Sequence, residues 1–277
     1  MFNQGKKCIK YRYTEVTRQG LRLIIMSNPL YVLVKVGIAP IPTKTFESKQ
    51  DDLHETLRRE YPSVGAVSVL HQQTINVSPT GTEVRSESVP ILSRSNISDG
   101  WAIRIMPDAI FLQTNKYTSY LDLRSRLERV LGLVHEVIDI THYQFAGIRY
   151  VNKYPLGINK DFDGKIRRVD FLQPELCNLP KAGSNLLSIY FEGENQLRVN
   201  SGVTVNNPPL NADLAEFAQE LGMDMSPIQG ACAHVDLDAH CQLKAPAPFN
   251  MKEITETIDS LRLLAKNAYL EVINQTE

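Results

Sequence analysis

Short β-prone runs come in pairs with almost no chain between them. Trp101–Met106 and 109–115 are separated only by Pro107-Asp108, and Leu186–Glu192 and 196–205 turn at Gly193. Parallel strands need a crossover of about a dozen residues or more, so each pair is confined to an antiparallel hairpin. Tyr31–Ile38 adds a half-buried strand, with Val32, Val34, Val36 and Ile38 on one side and Leu33, Lys35 and Gly37 on the other. Two longer segments carry the other period. Leu123, Leu127, Val130, Leu131 and Val134 recur at helical spacing within Tyr120–Ile138, as do Ile254, Ile258, Leu261, Ala265, Ala268 and Val272 within 250–273. The expected fold class is α+β: mainly antiparallel sheets packed against long amphipathic helices that lie on one face.

The remaining elements follow from local signals. Pro40 and Pro42 break the first strand, and Asp51-Asp52 places acids at the start of a helix carrying Leu53, Leu57 and Tyr61, which Pro62 ends. A β-rich run spans 64–77, and the polar segment 78–100 reads as turns and loop around one short strand. Strands follow at 143–154 and 231–243, with a short helix around 213–221. The organisation expected is a basic extension (1–25), an N-terminal α+β half (26–155) and a C-terminal α+β half (156–277). The halves are similar in element content, without a sequence repeat strong enough to prove duplication.

Composition removes several function classes. The 30 basic and 31 acidic residues leave a net charge of −1, so no whole-molecule field draws the chain to nucleic acid or anionic lipid. Basic charge is local instead: Lys6, Lys7, Lys10, Arg12, Arg18 and Arg22 face only Glu15 within 1–25, an arm that could dock on phosphates or simply be solvated. Cys8, Cys177, Cys232 and Cys241 form no C-x-x-C pair, which fits reduced thiols in a cytoplasmic protein. No stretch approaches the roughly 20 apolar residues of a membrane span.

Gly147-Ile148-Arg149-Tyr150-Val151-Asn152-Lys153 resembles the central segment, of Gly-Leu-Arg-Tyr-Ile-Asn-Arg type, of a sporadically distributed prokaryotic family of unknown function. The start at Met26-Ser27-Asn28-Pro29 resembles that family's Asn-Pro-Pro element, with Leu30 in place of the second proline and Lys153 in place of arginine. The resemblance covers 26 to about 273 and implies no established activity. A patchy distribution implies mobile gene islands, where accessory and phage-defence proteins are common.

In an alternating strand Gly147, Arg149, Val151 and Lys153 share one face, and Ile148, Tyr150 and Asn152 share the other. Arg149 could grip a carboxylate or phosphate of a ligand, with Tyr150, Asn152 and His142 contributing and Gly147 allowing close approach. The plainer reading pairs Arg149 with an acid of a helix or neighbouring strand.

Period two also aligns His234, Asp236, Asp238 and His240 on one face. Imidazoles and carboxylates suit a divalent metal that could activate water for hydrolysis, although same-face neighbours stand about 7 Å apart, so one strand alone cannot supply four ligands. The bland alternative is the polar side of a half-exposed strand. No G-x-S-x-G, P-loop or G-x-G-x-x-G is present. The expectation is therefore a noncatalytic accessory or partner-binding protein with a protein partner and self-association. Metal-dependent hydrolysis and nucleic-acid binding through 1–25 stay open.

Overall fold

A computed structural model describes residues 29–65, 69–78, 81–155 and 183–273. Expectations for 1–25, for Cys8 and Cys177 and for the Met26-Ser27-Asn28 start lie outside the described residues.

In chain order the elements are β1 (Tyr31–Ile38), α1 (Thr43–Leu57), β2 (Ser63–Val64), β3 (Val69–Ser78), β4 (Gly81–Pro90), β5 (Leu92–Asn96), β6 (Trp101–Met106), β7 (Ala109–Thr114), α2 (Tyr120–Ile138), β8 (His142–Pro155), β9 (Leu186–Glu192), β10 (Asn195–Asn207), α3 (Ala215–Glu220, entered by a 3-10 turn over Ala212–Leu214), β11 (Ile228–Pro248) and α4 (Met251–Val272). The fold class is α+β. Nine strands form one sheet in the order β2-β5-β6-β7-β1-β8-β11-β10-β9, every pair antiparallel, and β3 with β4 makes a separate two-stranded ribbon.

That order is a palindrome. From the centre outwards, β1-β7-β6-β5 on one side matches β8-β11-β10-β9 on the other, and α2 follows β7 as α4 follows β11. Backbone order thus carries a repeat that residue periodicity does not show. β1 and β8 form the seam, and strands from both sequence halves share one sheet across it.

Hydrophobic burial holds α1, α2 and α4 to one face. Val32, Val34, Val36 and Ile38 of β1 are wholly buried in a cluster with Phe46 and Leu53 of α1, Leu127 and Leu131 of α2, and Ile254 and Leu261 of α4. Each such side chain contributes about 1.5–3 kcal/mol. Ser119 caps α2 by accepting from the Asp122 backbone N–H, and Asn250 caps α4 by accepting from those of Lys252 and Glu253.

Four expectations need correcting. α1 begins at Thr43 instead of near Asp51, because Pro42 sits at the N-cap, where a missing N–H costs nothing, and Phe46 anchors the first turn. The 78–100 segment holds two strands, β4 and β5. β4 was hidden because a two-stranded ribbon with Val84 exposed needs no apolar alternation. β11 runs from Ile228 to Pro248, well beyond 231–243, with its register to β8 broken between Gln242 and Ala247. Helices are not confined to one face. Leu214, Ala218 and Leu221 pack on Tyr31, Ala102 and Val151, so α3 lies on the side opposite α1, α2 and α4.

Candidate functional site

On the face opposite α1, α2 and α4, the described residues cover the sheet over its first half and leave much of its second half uncovered. Under α3, Arg104 donates from Nε to Glu220 Oε1 (2.9 Å) and its guanidinium lies 3.8 Å from the centre of the Phe217 ring. Gln113 donates to Glu220 Oε2 (2.5 Å) and accepts from the Tyr31 hydroxyl (2.7 Å). Burial pushes the Glu220 carboxyl upward while Arg104, Ser93 and Gln113 pull it back.

The second half carries the sequence candidates. Register sets Leu33, Arg149, Asp238, Arg198 and Ile189 in one row across β1, β8, β11, β10 and β9. The neighbouring row is Tyr31, Val151, Asp236, Asn200 and Leu187. Arg149 reaches diagonally between these rows and grips Asp236 with both prongs, Nε to Oδ1 at 2.9 Å and Nη2 to Oδ2 at 2.6 Å. Its remaining nitrogen, Nη1, donates to Asp213 Oδ2 at 2.6 Å, tying the turn before α3 to the sheet. Asn211 adds a longer bond to Asp236 Oδ2 at 3.4 Å. The Arg149 side chain is 17% exposed and that of Asp236 3%.

Burial opposes the Arg149 cation, but the hydrogen bonds and charges of Asp236 and then Asp213 outweigh it and raise its pKa. Burial raises the Asp236 carboxyl as well, against the pull of Arg149, with Asp238 and Asp213 adding to the rise. Two short bonds in the fork geometry keep the pair ionic. Arg149, Leu187, Arg198, Asp213, Asp236 and Asp238 line a recess of about 230 Å³ together with Asn200 and Asn211. A second recess, about 430 Å³, shares Asn211 and reaches His234.

The four metal candidates alternate onto this face but do not converge on one point. His234 is buried, turns Nε2 to Asn200 Oδ1 (3.3 Å) and leaves Nδ1 without a partner. Burial, helped by nearby Lys153, lowers its pKa to about 4, so the ring is neutral. Asp236 gives both oxygens to Arg149. Asp238 stands 3.9 Å from His240 Nδ1, and the His240 ring stacks on Phe145 with centroids 5.5 Å apart. Among the described residues no three of His, Cys, Asp and Glu converge as a metal site.

The ligand candidates divide in the same way. Tyr150 and Asn152 lie on the helix-packed side. Tyr150 meets Tyr117 edge-on at 5.9 Å, and Asn152 donates to the Val235 carbonyl at 3.1 Å. His142 is exposed at the far end of β8, seven residues from Arg149 or roughly 23 Å of strand. Gly147 does leave space, but Phe145 and His240 occupy it: a Cβ there would stand 2.9 Å from Phe145 Cε1 and 3.2 Å from His240 Cβ.

Sequence reasoning missed Asp213, Arg198, Asn200 and Asn211. Alternation along β10 could have found Arg198 and Asn200, which flank the inward-facing Val199. No helix among the described residues is long and apolar enough to cross a membrane. Compared with protein-family models, curated proteins and solved structures, the chain matches none.

Proposed function

We propose that this is a noncatalytic accessory protein that binds a protein partner through the open half of its sheet and the outer edge of β9. The carrying observation is the end of that half. Leu187, Ile189 and Phe191 share the open face of the last strand, 50%, 49% and 72% exposed, beside a strand edge unpaired among the described residues. Contiguous exposed apolar surface of this kind marks interaction sites. The polar groups next to it support binding over chemistry: Arg149 spends three nitrogens on Asp236 and Asp213, and both Asp236 oxygens are engaged by Arg149.

The test is affinity purification of the tagged chain from its native cells beside a Phe191→Glu variant. Wild type retains a polypeptide, a companion or a second copy of itself, at fixed stoichiometry, and the variant loses it while keeping its melting temperature. A wild type that elutes alone as a monomer sinks the proposal, as does a Phe191→Glu variant that binds unchanged.

A further inference from the structure

The two edges of the sheet are finished differently. One ends in β2, Ser63–Val64, a two-residue strand that offers almost no template for another chain. The other ends in β9, LLSIYFE, seven residues long, with no proline and no basic residue. Its pairing with β10 runs from Glu192↔Asn195 to Leu186↔Ser201 without a bulge. Short length, Pro, Lys and bulges are the usual means of keeping an edge from templating, and β9 has none of them.

We propose that β9 pairs antiparallel with β9 of a second copy of this chain across a two-fold axis at Ile189. This names the partner for the edge reading above and rests on it. The strand is self-complementary in that register: Ile189 opposes Ile189, and each Leu187 opposes the partner's Phe191. Because side chains repeat every second residue, all of these lie on the open face. One pairing therefore covers the three most exposed apolar positions of that face of β9 in both copies.

Charge selects the same orientation. Glu192 is the sole charged residue of β9. Antiparallel pairing centred at Ile189 sets it against the partner's Leu186 and puts the two Glu192 carboxylates roughly 20 Å apart along the strand. That separation exceeds the Debye length of about 8 Å at physiological salt. Parallel in-register pairing would set them side by side. The joined sheets also complete a site. Leu187 lines the recess beside Arg149, Asp213 and Asp236, and the dimer places the partner's Phe191 against Leu187 at its rim.

Light scattering on the full-length chain across a concentration series reads the association, and cysteine crosslinking reads the register. Wild type is expected at twice the 31.3 kDa chain mass. Ile189→Lys sets two ammonium groups together on the axis and is expected to weaken the dimer at least tenfold, while at concentrations low enough to dissociate both proteins its melting temperature equals that of wild type. In a background of Cys8→Ser and Cys177→Ser, Ile189→Cys forms a disulfide-linked dimer, and so does a mixture of Leu187→Cys with Phe191→Cys. Leu187→Cys alone does not, because its two copies stand roughly 13 Å apart along the strand, beyond disulfide reach. A chain that stays at single mass at every concentration, an Ile189→Lys dimer of unchanged affinity, or crosslinking by Leu187→Cys alone overturns the proposal. A monomer that still loses a native companion on Phe191→Glu would overturn the second copy and leave the edge reading standing.

Discussion

Beneath α3, Arg104 meets Glu220 with both side chains 3% exposed, whereas on the other side of the seam Arg149 meets Asp236 with its own side chain 17% exposed at the wall of a recess. Both arginines project from the same face of one sheet toward acids from the same stretch of chain, since Glu220 ends α3 and Asp213 lies just before it. The difference is cover. α3 follows β10 and crosses the seam to lie over the first half, so the first pair is sealed under Phe217, while the second keeps contact with water. A sealed pair leans heavily on its partner, because a buried charge left without it has little else to turn to: Arg104 keeps only a 3.5 Å contact from Nη1 to Glu216. A pair at a recess can be rescued in part by solvent.

That contrast orders the expected effects. Glu220→Ala leaves the buried Arg104 guanidinium only the long contact from Nη1 to the half-exposed Glu216 Oε2, 3.5 Å, and chemical denaturation should show a loss of about 3–5 kcal/mol. Arg149→Ala should cost less, about 2–3 kcal/mol, because Asp236 can take up a proton or water through the recess. Equal losses for the two variants would remove the distinction drawn from cover. His234 gives a pH signature. Its folded pKa, about 4, lies below the unfolded value near 6.5, so its contribution is full above pH 6.5 and is lost as pH falls from there toward 4. The difference in stability change between wild type and His234→Gln, from pH 7 to pH 5, should be about 1–2 kcal/mol. A His234→Gln profile superimposable on wild type would mean that the imidazole is reached by water in the native state. Arg198→Ala, on the exposed part of the same row, should move stability by less than about 0.5 kcal/mol.

The local half of this picture was legible in the residues. Alternation placed Arg149 away from Tyr150 and put His234, Asp236, Asp238 and His240 on one face, because side-chain direction in a strand depends on parity alone. Which acid Arg149 would reach was not legible. Asp236 arrives from a strand 87 residues away, and Asp213 arrives on a turn whose position depends on α3 crossing the sheet. The same crossing conceals the Arg104, Gln113 and Glu220 cluster, since α3 has only six residues and carries little signal of its own. Gly147 was read as room for a ligand because a sequence shows the missing side chain but not the Phe145 ring that fills the space.

The palindromic strand order also sets a schedule for synthesis. β1 leaves the ribosome before either of its neighbours, and neither β7 nor β8 exists until the chain has grown past Ala109 and then His142. At about 5–20 residues per second, the strand destined for the centre of the sheet spends several seconds with both edges open. α1, which follows β1 directly and buries Phe46, Leu53 and Leu57 in the same cluster, is, among the described residues, the early element placed to shield Val32, Val34 and Val36 during that interval. Yield in the cell should therefore answer to the packing of α1 more sharply than the stability of the finished molecule does.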